Sequence, residues 1–289
     1  MILIVGGSGF IGTRICRRLE NDKVQFTIID KIISRTFPER TVQCDIRNLD
    51  DLCKKLCGDV IINLAAEHRD DVTPRSLYDE VNVQGAKNVC AAAERNYIDT
   101  IVFTSSVAVY GFAPVGTDET GEIHYFNDYG RTKSEAEKVY RAWFEKDPEH
   151  RKLVIVRPTV VFGEQNRGNV YNLLKQISSS VFMMVGSGNN IKSMAYVENV
   201  AAFLEYTLSF DRGFYLYNYV DKPDFDMNAL VKTVYDQLGR KPLIRLHLPY
   251  WMGYAGGKLF DLLALISQKK FTISSIRIKK FCENTCFNT

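Results

Sequence analysis

The stretch GGSGFIG (Gly6–Gly12) follows directly on an apolar run, MILIV (Met1–Val5), and precedes a predicted helix that begins near Ile11. Glycines at these spacings allow a tight strand-to-helix turn and let the backbone approach a pyrophosphate. The free N–H groups and the positive end of the helix then bind the phosphate charge. An ordinary turn is the alternative. The pattern predicts a dinucleotide-binding turn whose contacts are Gly6, Gly9, Phe10, Ile11 and Gly12.

Further apolar, β-branched runs alternate with helical patterns as far as residue 160: FTIID, DVIINLAA, TIVFTSS and KLVIVRP. Nearly continuous apolar runs are typical of parallel strands that are buried on both faces. The sequence therefore predicts an α/β fold with a Rossmann-type, doubly wound parallel sheet. Beyond Val160 we expect a smaller lobe, with helices near residues 170–178, 197–208 and 227–238.

The regular alternation of apolar runs and helical patterns ends near Val160, which suggests two domains. We expect residues 1–163 to form the dinucleotide-binding domain, which also carries the catalytic residues. Residues 164–289 should form a smaller α/β lobe that packs on the carboxyl edge of the sheet and binds the substrate.

Asp30 ends the second predicted strand, eighteen residues after Gly12. A carboxylate at this position can accept hydrogen bonds from both hydroxyls of a ribose and repels a 2′-phosphate. Lys31 weakens that repulsion, but we still predict NAD rather than NADP, with both residues near the cofactor. Asp45 and Ile46 lie past the third predicted strand, where they either contact the adenine or form a turn.

Composition and charge restrict the class of protein. Of the 289 residues, 46% are hydrophobic and 25% charged, a profile that excludes disordered and fibrous proteins. A net charge of +3 is too small to indicate nucleic acid binding. Seven cysteines, without the ligand spacing of a zinc site, predict free thiols and no metal. Since no cleavable signal precedes MILIV, we expect a cytoplasmic location.

The positive charge is concentrated near the C-terminus. Residues 240–280 contain nine lysines and arginines and a single acid, Asp261. Large apolar residues are interleaved with these cations, as in LPYWMGYAGGKLFDLLALISQKKF (248–271). Such a segment either lies at an anionic bilayer surface or covers the core with its lysines in solvent. No apolar run has the roughly 18 residues needed to cross a bilayer.

Tyr129 and Lys133 are four residues apart in YGRTK, which on a helix places a phenol and an ammonium on one face. A phenol with a pKa of about 10 is a poor base, and Lys133 together with the nicotinamide ring of NAD⁺ is expected to favour the phenolate. Ser105 and Ser106 end the TIVFTSS run, at the strand ends where ligands of such sheets bind. The pattern predicts catalytic Tyr129, Lys133 and Ser106 and a cofactor contact by Ser105, although YxxxK also arises by chance.

Seven segments, GGSGFIG, CDIRN, NLAAEH, VNVQG, TSSVAVYG, YGRTK and RPTVVFG, occur in the order typical of one family. Over essentially its whole length the chain resembles the extended short-chain dehydrogenases, the NAD-dependent sugar epimerases and dehydratases. The resemblance implies that Ser106 hydrogen-bonds the sugar's 4-oxygen, Tyr129 is the base and Lys133 holds the nicotinamide ribose. It also implies NAD-pocket positions for Leu64, Ala65, Ala66, Pro158, Thr159 and Asn82, the last with simple packing as the alternative.

The residues after Ser106 narrow the reaction that the resemblance implies. Dehydratases of the family carry an Asp-Glu pair there, because loss of water needs a separate acid and base. Decarboxylating relatives carry a glutamate, and 3,5-epimerase/reductases a cysteine. Val107 and Ala108 stand in this chain. The site therefore resembles that of a sugar 4-epimerase, which works through a 4-keto intermediate and keeps its NAD bound.

Longer stretches, including AAEHRDDVTPRSLYDEVNVQG, RPTVVFGEQNRGNVYNLLKQI and KSMAYVENVAAF, resemble a narrower bacterial branch. That branch interconverts GlcNAc and GalNAc on a diphospho-undecaprenol carrier in O-antigen biosynthesis, which implies peripheral contact with the cytoplasmic face of the inner membrane. A soluble UDP-hexose or UDP-N-acetylhexosamine 4-epimerase is the first alternative. A 4-keto-sugar reductase and a catalytically silent dinucleotide sensor are the others.

The substrate contacts follow from the same resemblance. Lys192 falls where soluble relatives have an arginine on the diphosphate, and Arg167 is a second phosphate candidate or a surface arginine. Glu67 and His68 are expected to flank the sugar-diphosphate with Arg69 beside them, a structural role for His68 being the alternative.

The resemblance also bears on assembly and on the C-terminal region. It implies a homodimer through helices at residues 83–95 and 129–143. In the family a further segment, ending in a Gly-Leu-x-x-Thr helix, normally follows the position of Thr289. We therefore expect an incompletely closed smaller lobe.

Overall fold

The structure, a computed structural model, describes residues 1–69, 72–166, 168–179, 182–240, 247–267 and 274–289. The strands in these ranges are β1 (Ile2–Val5), β2 (Phe26–Asp30), β3 (Thr41–Gln43), β4 (Val60–Asn63), β5 (Thr100–Thr104), β6 (Lys152–Pro158), β7 (Val160–Phe162), β8 (Met184–Val185), β9 (Ile191–Tyr196), β10 (Gly213–Tyr219), β11 (Asp221–Asp226) and β12 (His247–Leu248).

The helices in the same ranges are α1 (Phe10–Asn21), α2 (Leu49–Lys55), α3 (Ser76–Tyr78), α4 (Gly85–Arg95), α5 (Asp128–Glu145), α6 (Asn169–Ser178), α7 (Val197–Tyr206), α8 (Met227–Gln237), α9 (Tyr250–Ser267) and α10 (Ser275–Cys282). A π-helical turn, Asp79–Gln84, joins α3 to α4, and a 3-10 turn, Val107–Tyr110, follows β5. The three helices expected in the second half of the chain are confirmed as α6, α7 and α8.

Seven strands pair in the order β10-β6-β5-β4-β1-β2-β3, and every neighbouring pair is parallel. β1 and β6 are buried along their whole length, which is why their sequences are nearly continuous apolar runs. The strand order reverses between β1 and β4, and ligands of such sheets bind in the crevice outside the carboxyl ends at that point. The predicted doubly wound parallel sheet is confirmed.

Alternate residues of β1 point into two hydrophobic cores, one on each face of the sheet. Leu3 and Val5 pack in a core that includes residues of α4 and α5. Ile2 and Ile4 pack in a second core with residues of α1 and α7. Burial on both faces holds the strand ends, and therefore the residues that follow them, in fixed positions.

Two small sheets lie outside the main one: β11-β9-β7 and β12-β8. The last residues of the chain run beside β9, where the Ser193 amide donates to the Thr285 carbonyl at 2.7 Å. Phe287 is 3% exposed and stacks on Tyr110, with ring centroids 5.7 Å apart. The C-terminal segment thus packs the smaller lobe against the turn that follows β5.

The predicted boundary at residue 163 needs one amendment. β10 pairs with β6 along seven residues, and α7 packs against α1, so both belong to the main layer although they come later in the chain. Chain order could not reveal this, because β10 reads as an aromatic strand that would fit either lobe. The assignment of functions to residues 1–163 and 164–289 stays a prediction.

Candidate active site

The glycine turn between β1 and α1 packs closely against neighbouring backbone atoms. Gly6 has φ +79°, and a Cβ there would lie 2.6 Å from the Ala65 amide nitrogen. A Cβ on Gly12 would lie 2.5 Å from the Gly7 Cα, so only glycine lets α1 start this close to the turn. α1 has no side-chain cap at Gly9, which leaves the N–H groups of its first turn free for an anion.

Asp30 lies beside this turn. Its carboxylate accepts hydrogen bonds from the Ser8 amide at 3.0 Å and the Ile32 amide at 3.2 Å, which hold it at the end of β2. The Lys31 ammonium pairs with Glu67 at 3.2 Å. The structure therefore brings Glu67, predicted as a substrate contact, to the cofactor end of the site.

Asp45 and Ile46 follow β3. The Arg47 guanidinium hydrogen-bonds the Asp45 carboxylate and lowers its pKa. Ile46 is 7% exposed, and its side chain would lie 3.1 Å from a Cβ on Gly85. The Asp45 carboxylate is thus committed to Arg47, and an adenine contact by these residues stays a prediction.

Asn82 fastens the loop after β4 to the catalytic helix. Its side-chain oxygen accepts from the Glu67 amide at 2.9 Å, and its amide donates to the Glu67 carbonyl and to Thr132 Oγ1 at 2.9 Å. The NAD-pocket position that the resemblance implies for Asn82 stays a prediction, with packing as the alternative. The loop that it holds contains Leu64, Ala65 and Ala66, and Ala65 is the residue that approaches Gly6.

Ser106 and Tyr129 are brought together as predicted. Ser106 caps the turn after β5 by accepting from the Ala108 amide at 3.1 Å, and Asn127 caps α5, which carries Tyr129, by accepting from the Gly130 amide at 2.9 Å. The Ser106 hydroxyl lies beside the Tyr129 phenol and acts to lower its pKa. Two capped helix starts therefore position the hydroxyl pair.

Burial acts on the charge state of both Tyr129 and Lys133. It raises the pKa of Tyr129, and the Ser106 side chain opposes that rise only in part. Burial also lowers the pKa of Lys133 to about 7. Desolvation thus dominates both groups, and the expectation that Lys133 together with the nicotinamide ring favours the Tyr129 phenolate stays a prediction.

Lys133 reaches the end of β5. Its ammonium donates to the Thr104 carbonyl at 2.6 Å and lies 4.3 Å from the centre of the Phe103 ring. It is 2% exposed. The backbone carbonyl and the ring keep the ammonium beside the catalytic strand end, on the same helix as Tyr129.

Two buried hydroxyls at neighbouring strand ends lack partners among the described residues: Thr104 Oγ1 after β5 and Thr159 Oγ1 after β6. Thr159 and Pro158 were predicted as cofactor contacts. Buried polar atoms are normally hydrogen-bonded, so such orphans are expected where a bound group completes the set. Together with the glycine turn and the free start of α1, they fit a dinucleotide.

Ser105 differs from its neighbour. Its hydroxyl donates to the Glu137 carboxylate at 2.5 Å, and the residue is 2% exposed. Glu137 in turn pairs with Arg157. The hydroxyl is thus committed to the interior, which counts against the predicted cofactor contact. Sequence reasoning missed Glu137 and Arg157, although a charged residue inside the apolar run KLVIVRP was a usable signal.

The remaining substrate candidates are dispersed. His68 and Arg69 lie exposed on the loop after β4. The Lys192 ammonium donates to the carbonyls of Lys280 at 2.8 Å and Glu283 at 2.5 Å, and burial lowers its pKa to about 8. Its role as a diphosphate contact stays a prediction. Arg167 lies outside the described residues.

Comparison with known proteins gives the class. The model of the NAD dependent epimerase/dehydratase family matches residues 2–215. The chain belongs to this family, so the predicted family and its cofactor, NAD, are confirmed.

Two relatives bear on the particular activity. The chain is 51% identical to the N-acetyl-alpha-D-glucosaminyl-diphospho-ditrans,octacis-undecaprenol 4-epimerase of Escherichia coli O157:H7, over 99% of this chain and 87% of that one. It is 28% identical to the UDP-glucose 4-epimerase of Vibrio cholerae, over 94% and 86% of the two chains. The prediction of an NAD-dependent sugar 4-epimerase is confirmed by these similarities.

A solved structure agrees on the fold. The UDP-glucose 4-epimerase of Thermus thermophilus in complex with NAD has a TM-score of 0.72 at 20% identity, over 86% of each chain.

Proposed function

We propose that this protein interconverts GlcNAc and GalNAc by 4-epimerisation while the sugar is attached to diphospho-undecaprenol. The observation that carries the reaction is the placement of the Ser106 hydroxyl beside the Tyr129 phenol, with the uncharged Val107 and Ala108 following Ser106. The 51% identity to the Escherichia coli enzyme, which extends over 99% of this chain, supports the lipid-linked substrate.

The cofactor contacts belong to the same proposal. The turn at Gly6–Gly12 and the start of α1 hold the diphosphate, Asp30 holds the adenosine ribose, and Lys133 holds the nicotinamide ribose. Thr159 Oγ1, which has no partner among the described residues, donates to the bound group. NAD, when bound, supplies a reversible acceptor for the hydride on C4 of the sugar.

Tyr129 is the group that moves a proton. As phenolate, which Lys133 and the nicotinamide ring together favour against the burial of the phenol, it takes the proton of the sugar's 4-hydroxyl, while Ser106 hydrogen-bonds the same oxygen. Loss of this proton and of the C4 hydride leaves a 4-keto sugar. When the other face of the keto sugar is turned toward the cofactor, Tyr129 would return the proton to O4 and the sugar would recover its hydride at C4, so the reaction has no net oxidation or reduction.

Dehydration would need more than this site offers. Elimination of water requires an acid and a base besides Tyr129. Val107 and Ala108 have no titratable group, and the nearby Glu137 carboxylate is bound by Arg157 at 2.6 Å and Ser105 at 2.5 Å. The residues around Ser106 therefore support reversible oxidation at C4 alone.

The substrate is tested by giving purified protein either polyprenyl-diphospho-GlcNAc or UDP-GlcNAc and measuring the GalNAc formed. We expect efficient conversion of the lipid-linked sugar, with no net consumption of NADH. Turnover of UDP-GlcNAc alone would favour a soluble nucleotide-sugar epimerase, which the similarity to the Vibrio cholerae enzyme makes the second candidate. Stoichiometric loss of NADH would indicate a reductase instead.

We further propose that α9 lies at the membrane surface. Only Gly253 and Gly257 of this helix are buried, whereas Trp251 is 69% exposed, Leu265 77% and Ile266 72%. These side chains do not cover the core, which supports contact with a membrane surface. Nearby cations on α10 would face anionic headgroups. None of the described helices has both the length and the apolar character needed to cross a bilayer.

Replacing Leu265 and Ile266 together by serine should weaken binding to phosphatidylglycerol vesicles by about tenfold or more, because each side chain contributes roughly 1.5–3 kcal/mol when buried in an apolar phase. Vesicle co-sedimentation measures this. The control is Leu238→Ser, since Leu238 is 44% exposed at the end of α8. Equal binding of the double variant and the wild type would rule out α9 as the contact.

The assembly and location are also proposals. We propose a homodimer in which α4 and α5 pair with their counterparts, on the cytoplasmic face of the inner membrane. Within each chain, residues 1–163 would bind NAD, with β10 and α7 completing that layer, and residues 164–289 would bind the sugar-diphosphate. Light scattering of the purified protein tests the dimer.

A further inference from the structure

A buried carboxylate lies directly behind the catalytic strand end. Glu137 Oε1 accepts from the Ser105 hydroxyl at 2.5 Å and from Arg157 Nε at 2.9 Å, and Oε2 accepts from Arg157 Nη2 at 2.6 Å. Ser105 is 2% exposed, Arg157 5% and Glu137 8%. The carboxylate is therefore fixed from two strands, β5 and β6, by three hydrogen bonds.

The same guanidinium extends the network away from the site. Arg157 Nη1 donates to the Tyr110 hydroxyl at 2.6 Å, and that hydroxyl donates to Asn218 Oδ1 at 2.9 Å. Tyr110 and Asn218 are each 1% exposed. Every member is thus bound by protein, and none of them takes part in the proton transfer by Tyr129.

Glu137 stands one helical turn after Lys133 on α5, so the two side chains share a face. β5 presents only uncharged groups to the ammonium, the Thr104 carbonyl and the Phe103 ring. Glu137 is the charge that favours protonation of Lys133, against the burial that lowers its pKa. The Arg157 guanidinium of β6 faces Glu137, and Tyr129 stands one turn before Lys133 on α5.

We propose that Glu137 is a positioning residue: held by Arg157 and Ser105, it is the fixed counter-charge that keeps the Lys133 ammonium protonated beside the catalytic pair. The inference rests on the proposed role of Lys133 in the epimerase site. A buried ion pair is weak evidence for stability in itself, because apolar residues can often replace it without loss. The need for a charged Lys133 gives the ion pair of Glu137 and Arg157 a role other than stability.

Removing the carboxylate charge should lower the pKa of Lys133, because the ammonium loses an opposite charge. An opposite charge within about 4–6 Å shifts a pKa by about one to three units. Since the pKa of Lys133 is about 7, Glu137→Gln should lose the ammonium below neutral pH. The alkaline limb of the activity profile should then move to lower pH by about one unit. At a fixed pH on that limb, this shift is a loss of activity of about tenfold.

The test does not depend on activity alone. Protein labelled with ¹³Cε-lysine, purified with its bound NAD, is titrated by NMR, and Lys133→Met identifies the Lys133 signal. Glu137→Gln should titrate about one unit lower than wild type at this signal. If wild-type protein turned over neither sugar substrate, the proposed function would fail, but the NMR comparison would still decide the role of Glu137.

Glu137→Gln leaves the Arg157 charge without a carboxylate and could prevent folding, so a second variant is needed. The double variant Glu137→Met/Arg157→Met replaces the pair by apolar side chains of similar length and should also shift Lys133 downward. The control is Glu135→Gln on the same helix, whose carboxylate lies at the surface with Arg131 at 3.1 Å. Glu135→Gln should leave the Lys133 signal in place.

If Glu137→Gln unfolds and the double variant does not, the titration of Lys133 in the double variant decides the role of Glu137. If a folded variant without the carboxylate titrates Lys133 at the wild-type pH, the proposal is overturned and the network is purely structural. The same conclusion follows if Glu135→Gln shifts the signal as far as Glu137→Gln does. A shift confined to the variants that lack the Glu137 charge supports it.

Discussion

Tyr129→Phe should reduce epimerisation by about 10²- to 10⁴-fold, because the variant keeps the ring but loses the group that accepts and returns the proton. The Ser106 hydroxyl loses its phenol partner in this variant and cannot replace it as a base. The measurement is the initial rate with polyprenyl-diphospho-GlcNAc at saturating substrate. NAD content and melting temperature should stay close to those of the wild type, since the change removes a single oxygen.

Tyr206→Phe is the matched control. Tyr206 is 63% exposed at the end of α7, and the same oxygen is removed there without contact to the catalytic pair. Its rate should equal that of the wild type. A Tyr129→Phe enzyme with full activity would show that another group is the base.

Gly12→Ala should reduce the NAD retained on purification by about tenfold or more. The added Cβ would lie 2.5 Å from the Gly7 Cα and 2.6 Å from the Gly7 carbonyl oxygen, so either the turn or α1 must move. Overpacking of this kind costs about 1–3 kcal/mol, and here the strain acts on the turn that binds the diphosphate. Chromatography of the nucleotide released from denatured protein measures the occupancy.

The comparison variant is Asn21→Ala, an exposed position at the far end of the same helix. It should retain NAD at the wild-type level, which separates damage to the turn from a general effect on α1. Wild-type occupancy in Gly12→Ala would contradict the close packing that the structure shows at this turn.

Much of the fold could be predicted because its signals are local. The glycine turn, the apolar runs of β1, β2, β4, β5 and β6 and the YGRTK segment are each contained in a few consecutive residues. A parallel strand that is buried on both faces is a nearly continuous apolar run, so it can be recognised from its own residues. A helix likewise brings residues four apart together wherever it packs, so Tyr129 and Lys133 could be paired in advance.

The orientation of neighbouring side chains was less predictable. Ser105 and Ser106 are adjacent and chemically identical, yet one hydroxyl donates to Glu137 in the interior and the other lies beside the Tyr129 phenol. Successive residues at a strand end point to opposite faces, and only the packing of α5 decides which face is the active site. The partners of the Lys192 ammonium could not be predicted from the sequence either, since they lie 88 and 91 residues further along the chain.

By itself the sequence determined the class of fold, the dinucleotide turn and the identity of the hydroxyl, phenol and amine of the site, because these depend on short-range patterns of shape and polarity. Three features became evident only from the tertiary structure: the pairing of β10 with the main sheet, the pairing of Glu137 with Arg157 and the lowered pKa of Lys133. These depend on which distant groups are brought together and on how much water is excluded, and desolvation is a property of the assembled interior rather than of any one segment.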